Sequence, residues 1–202
     1  MLDIKELLNG KARRALHTTR YSTHTVHKVE SVAHHTYVTM TYASVIAHSL
    51  EADGQKVNHG LVLNKALWHD VEEPSGVGDI LRGVKHSSPQ LAEMIEDLSS
   101  RYVSATSSDL GMYKIHEYWK NAKDQTLEGQ IVRVADVFSV LAFLVEEFQL
   151  GNRTLSDVYE EVSVYLYDVI KEIENPDLQD LVREAQAYFK EMIEPCTITI
   201  SK

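Results

Sequence analysis

At 202 residues, with 44% apolar and 25% charged residues, the chain is long enough for a sizeable core and has the composition of a soluble globular protein. Its net charge of −10 argues against a general nucleic-acid binder, whose phosphate contacts need clustered Lys and Arg. No apolar run approaches the roughly 18–20 residues that span a bilayer, and Met1–Glu6 lacks a basic-then-apolar leader pattern. The lone Cys196 excludes an internal disulfide and a cysteine-built zinc site. A cytoplasmic protein with no membrane or nucleic-acid partner is expected. Four prolines and nine glycines leave little room for linkers, so residues 1–202 are expected to form one domain.

Residues 3–9 predict a short opening helix closed by Asn9-Gly10. Residues 11–31 have no helical period, and five histidines fall among residues 17–35, which points to a functional segment. The first 28 residues are basic: Lys5, Lys11, Arg13, Arg14, Arg20 and Lys28 stand against Asp3 and Glu6, enough to serve a small anionic ligand. From Ser31, a plausible N-cap, to about Leu50 the spacing becomes helical, and Gly54 ends that element. Leu61–His69 predicts the next helix, followed by a glycine-bearing turn over residues 72–79 and a short helix around Ile80–Val84.

Pro89–Tyr102 follows, and Ser107-Ser108-Asp109 is expected to cap a further helix running through Trp119. The longest pattern covers Leu127 to Leu150 and stops at Gly151-Asn152. Leu155–Ile173 and Pro176–Ile193 complete the set, the latter with Asn175 as N-cap and a proline at its first position. Only Thr197–Ile200 alternates like a strand, and weakly. The fold class is therefore all-α, a bundle of about seven to nine helices, with the acidic helices of residues 153–194 packing on it or forming an oligomer interface. Val158, Val162, Tyr165, Leu166 and Val169, with Tyr159 and Tyr167, give more apolar surface than one core face needs, so a homo-oligomer, at least a dimer, is expected.

His35, the adjacent His69-Asp70 pair and Asp136 lie on three separate helices. Asp136 is the informative one: a carboxylate in the middle of an apolar helix must meet a cation. That cation is either a metal or a side chain such as Arg133 or a nearby Lys. Two imidazoles and two carboxylates suit one divalent transition ion, Mn²⁺, Co²⁺, Fe²⁺ or Zn²⁺, with Mg²⁺ a weaker fit. Glu73, three residues past Asp70, stands where a general acid or base would serve water, or is a turn carboxylate exposed to solvent. His35 alone, at a helix start, would more often be a capping or packing residue than a ligand.

These residues, in this order, resemble the H…HD…D signature of the HD-domain phosphohydrolases, and in particular the branch of bacterial 5′-deoxynucleotidases and phage deoxynucleotide hydrolases. Glu30-Ser31-Val32-Ala33-His34-His35 resembles that branch's first box, with His34 in place of its usual acid. Leu67–Glu73, Gly78-Asp79 through Lys85, Ile131–Asp136, and Glu146-Glu147 through Gly151-Asn152 resemble the boxes that follow, so the likeness spans residues 20–152. The resemblance implies His35, His69, Asp70 and Asp136 as metal ligands and Glu73 and Asp79 as catalytic groups. It also implies Arg20 and Lys85 on phosphate, Tyr21 against sugar or base, and Thr23 near the base pocket. The implied activity is 5′-deoxyribonucleoside monophosphate hydrolysis, with deoxynucleoside triphosphate triphosphohydrolysis or non-catalytic nucleotide binding as alternatives. Arg82, Lys85, Lys120 and Lys123 would be the bases available to a triphosphate.

Overall fold

The computed structural model describes residues 3–75 and 87–197. Among them are eight α-helices: α1 Ile4–Asn9, α2 Val32–Ala52, α3 His59–Trp68, α4 Pro89–Asp109, α5 Lys114–Lys120, α6 Leu127–Gln149, α7 Ser156–Glu172 and α8 Pro176–Thr197. Two short 3₁₀ turns, Lys11–Leu16 and Glu73–Ser75, join them. No strand occurs among the described residues, and no helix among them is long and apolar enough to cross a membrane.

The helix starts follow local chemistry. Asn58 caps α3, Ser88 caps α4 ahead of Pro89, and Thr126 caps α6, each side chain accepting a first-turn backbone N–H. At α2 the Ser31 hydroxyl accepts from the His34 N–H, and the His34 Nδ1 accepts in return from the Ser31 N–H at 3.3 Å. His34 thus does what Glu or Gln does in the usual capping box.

Helix α6 is the axis of the molecule. Ile131, Val134, Leu141, Leu144 and Phe148 are buried on it, and apolar residues surround it on most sides, as befits a helix with little solvent face. Ala43, Ile46, Ala47 and Leu50 of α2, Val62 and Ala66 of α3, and Leu166, Val169, Leu178, Val182 and Ile193 of α7 and α8 pack around it in one cluster. The apolar stripe expected to serve an oligomer is largely consumed here: Val158, Leu166 and Val169 are buried, and Tyr159, Val162 and Tyr165 lean on the same core. Val164 and Tyr167 remain exposed.

Two sequence expectations are corrected. Ser107-Ser108-Asp109 does not open a helix; α4 runs unbroken to Asp109, and Gly111, at φ +63°, carries the turn that follows. Buried Ser107 instead ties the two helices, donating to the Met112 carbonyl at 3.0 Å and accepting from the His116 N–H. Thr197 ends α8 rather than starting a strand; residues 198–202, like the helix expected around Ile80–Val84, lie outside the described residues.

The polar segment 19–31 is a loop pinned at both ends. Its neck is closed by an antiparallel bridge between Thr19 and Ser31 and by the Arg20 N–H on the Glu30 carbonyl. Its tip is held by fully buried Glu147, whose carboxylate accepts from the backbone N–H of His27 (2.9 Å) and of Lys28 (2.7 Å) and from Asn152 (2.6 Å). Asn152 also donates to the Thr25 carbonyl. Burial works to raise the Glu147 pKa, but the Asn152 and backbone hydrogen bonds outweigh it and hold the carboxyl below its ordinary 4.5. The carboxylate's contribution to stability is therefore complete above about pH 4.5 and lost as pH falls through the lower folded value. Glu147→Gln turns one acceptor into a donor facing donors. Urea unfolding at pH 7 should show a loss of about 2 kcal/mol, shrinking as the pH is lowered below 4.5; equal stability of the two proteins at pH 7 would contradict this anchor.

Candidate metal centre

The cap that starts α2 places His35 in its first turn, facing α6 and fully buried. His69 follows the last residue of α3 and is also buried. Asp136 lies on α6, and Ser139 stands one turn further along the same face. The outer nitrogen of each imidazole is engaged: His35 Nδ1 lies 3.0 Å from the Ser139 hydroxyl, and His69 Nδ1 donates to the Ala66 carbonyl at 2.7 Å. A carbonyl can only accept, so His69 carries its proton on Nδ1, and the same tautomer at His35 makes Ser139 the acceptor. Both Nε2 atoms then turn to one place, 3.2 Å apart.

Two carboxylate oxygens close that place. Asp136 Oδ1 is 2.9 Å from His35 Nε2 and 3.7 Å from His69 Nε2; Asp70 Oδ2 is 3.1 Å from His69 Nε2 and 3.5 Å from His35 Nε2. One donor atom from each of the four residues lies within 4.8 Å of all the others. Oriented imidazoles with their far nitrogens bonded, together with two monodentate oxygens, fit a divalent transition ion.

Burial, aided by the Arg20 charge, lowers His35 to about 4. Burial pulls His69 the same way, but the Asp70 charge and hydrogen bonds to Asp136 and Asp70 outweigh it and raise His69 to about 10. Asp70 and Asp136 are held well below the usual carboxylate range despite burial, Asp70 chiefly by His69 and Asp136 chiefly by Lys123. Of the two side-chain cations expected to be able to meet Asp136, the nearby lysine is the one found. Lys123 Nζ lies 2.6 Å from Asp136 Oδ2, whereas Arg133 pairs with Glu172 and donates to the Lys123 carbonyl.

The other expected site residues are distributed unevenly. Glu73 is buried beside Asp70: Asp70, Glu72 and Glu73 each bring a carboxylate oxygen within 4.8 Å of the others, and the Trp119 indole N–H donates to Glu72 at 2.7 Å. Arg20 lies close enough for its charge to act on His35, and it is ion-paired with Glu30 at 3.0 Å. Tyr21 departs from expectation. It is 4% exposed, adopts φ +55°, and stacks flat on Phe143 at 4.9 Å with the Arg20 guanidinium over its ring, so the structure packs it into the core rather than offering it to a base. Thr23 is exposed and turned towards His24, which reaches Asp157 at the start of α7. Lys120 is exposed at the end of α5. Asp79, Arg82 and Lys85 lie outside the described residues.

Ser139 was not legible as part of this centre, and Lys123 only as one nearby lysine able to meet Asp136. Their only sequence signals are a serine one turn after Asp136 in an otherwise apolar helix and a Lys-Asp pair ahead of the Thr126 cap. Beside the centre, a mostly apolar cleft of about 270 Å³ opens between the Lys11–Leu16 turn, α2 and α3. Ala15, Val32, Thr36, Met40 and Trp68 line it, and it reaches Asp70. The Trp68 indole N–H is buried with no hydrogen-bond partner among the described residues.

Comparison with known proteins follows the same lines. A crystal structure of an HD-domain phosphohydrolase from Listeria innocua superposes with a TM-score of 0.77 at 23% identity, over 94% of this chain and 92% of that one. A conserved hypothetical protein of Pyrococcus furiosus gives 0.63 at 23% identity, over 86% of this chain and all of that one. A protein of Pyrococcus horikoshii gives 0.70 at 18%, over 94% and 99%. These likenesses show a shared fold. No curated protein matches the sequence. The sequence profile of the 5′-deoxynucleotidase YfbR-like family matches residues 12–193, nearly the whole chain, a range that includes His35, His69, Asp70 and Asp136. The chain belongs to the YfbR-like 5′-deoxynucleotidase family and is a metal-dependent phosphohydrolase of the HD-domain fold.

Proposed function

We propose that the protein is a 5′-deoxyribonucleotide phosphatase, converting a deoxynucleoside monophosphate and water into the deoxynucleoside and phosphate. The observation that carries this reading is the joining of the buried His35–His69–Asp70–Asp136 centre to an apolar cleft through Asp70. Phosphate and nucleoside thereby gain adjoining sites of opposite character. A divalent ion held by these four residues lowers the pKa of water and polarises a phosphoryl oxygen.

The chain's own residues supply the rest. Arg20 brings positive charge to the phosphate side, shared with Glu30. Glu73, next to Asp70, accepts the proton of the attacking water and returns it to the 5′-oxygen as the phosphorus–oxygen bond breaks. The nucleoside rests along the cleft, where Trp68 offers an aromatic face. Asp79, Lys85 and Thr23 are carried over from the family resemblance alone, Asp79 acting with Glu73, Lys85 on phosphate and Thr23 towards the base.

Phosphate release with Mn²⁺ or Co²⁺, measured against all deoxynucleoside mono- and triphosphates with ribonucleotide controls, tests this directly. Deoxynucleoside plus one phosphate from monophosphates is expected. Tripolyphosphate, or nucleoside released from a triphosphate, would make the enzyme a triphosphohydrolase instead. In the same assay Glu73→Gln should lower kcat by about 10²- to 10⁴-fold while stoichiometric metal stays bound; wild-type turnover would remove Glu73 from proton transfer. Asp136→Asn should weaken Mn²⁺ binding by more than about 100-fold and abolish turnover with the helical circular dichroism unchanged. Full activity in that variant would sink the metal assignment.

A further inference from the structure

Lys123 stands on the turn between α5 and α6, and its side chain is one-third exposed while its ammonium reaches into the centre. The turn that carries it is unusually well fixed. The Lys123 carbonyl accepts from Arg133 at 2.6 Å. The next residue, Asp124, takes an ion pair from Lys65, which is buried and donates also to Thr126. Gly129 comes so close that a Cβ there would lie 2.2 Å from Asp124 Oδ1 and 2.5 Å from its carbonyl, so only glycine leaves room for this turn. A lysine on such a base gives up less freedom on forming an ion pair than one on a loose loop.

The two oxygens of Asp136 are used differently. Oδ1 faces the imidazole pair, at 2.9 Å and 3.7 Å, while Oδ2 is taken by Lys123 at 2.6 Å. A carboxylate with both oxygens available can chelate an ion; one whose second oxygen is held by an ammonium offers a single donor. We propose that Lys123 is a positioning residue that keeps Asp136 monodentate, so that the ion retains a place for substrate or water. The inference rests on the metal-centre reading of the family and is independent of which phosphoester is cleaved.

Two consequences separate this role from simple support of the fold. Removing Lys123 frees Oδ2 for the ion and also removes a like charge beside it, so the variant should bind metal at least as tightly as wild type while working more slowly. A residue that merely held Asp136 in place would, on removal, weaken metal binding and turnover together.

The test uses the full chain, stripped of metal and titrated with Co²⁺. Lys123→Met should bind one Co²⁺ with wild-type or up to about tenfold tighter affinity, with an altered visible d–d spectrum that reports changed coordination. Its kcat should fall about 10- to 100-fold, more than KM changes. Lys123→Arg, which keeps charge and donors, should restore the wild-type spectrum, and it serves as the reporter if the methionine variant does not fold. An unaltered Co²⁺ spectrum in Lys123→Met, a tenfold or greater loss of its Co²⁺ affinity, or an altered spectrum in Lys123→Arg would overturn the proposal. Because the spectrum needs no substrate, expected spectra combined with absent deoxynucleotide turnover would count against the proposed substrate and not against Lys123.

Discussion

A carboxylate in the middle of an apolar helix is the constraint on which this structure turns. Asp136 sits on α6 between Ala135 and Val137, both buried, and a lone charge there would cost several kcal/mol. Everything around it works to offset that cost. Lys123 holds Oδ2, His69, whose pKa the neighbouring carboxylates raise, lies beside Oδ1, and Ser139 steadies His35 from the next turn. The carboxylates in turn raise the His69 pKa against the effect of its burial. A divalent ion bound there would compete with a proton for His69 Nε2, in a site that is already shaped.

The same economy explains why α6 is both the core and the scaffold of the site. Its apolar faces fix α2, α3, α7 and α8, so the helices that contribute His35 and His69 are positioned by the packing that stabilises the fold. About 16 Å further along the helix, at a 1.5 Å rise per residue, Glu147 fixes the tip of the 19–31 loop through its backbone N–H groups. The neck of that loop carries Arg20 beside the metal centre. One helix thus sets the ligands at its middle and the loop that approaches them at its end.

Much of this was legible in the sequence because it depends on local chemistry. Ser31, the Asn175-Pro176 pair and the terminal glycines marked helix ends through side-chain and backbone preferences that act over a few residues. That His35, His69, Asp70 and Asp136 come together was foreshadowed by the resemblance, and for Asp136 by the demand of a carboxylate inside an apolar helix for a partner. What failed depended on tertiary placement. Ser107 looks like a cap in one dimension and is a buried bridge in three. Tyr21, next to Arg20, resembles a ligand-facing aromatic, yet its positive φ directs the ring onto Phe143 on a helix far away in sequence. Which nearby lysine would meet Asp136 was open in the sequence, because the fold of the turn that brings Lys123 to it is a tertiary property. His34 is the instructive middle case: a departure from the family's pattern that the structure explains by capping.

The central claim is that four side chains from α2, the end of α3, and α6 hold one divalent ion. Anomalous diffraction from crystals grown with Co²⁺, recorded on either side of the cobalt edge, addresses it without reference to substrate. The account predicts a single strong peak at about 2.0–2.2 Å from His35 Nε2, His69 Nε2, one Asp70 oxygen and Asp136 Oδ1. A protein that binds no cobalt, or binds it away from these atoms, would contradict the account.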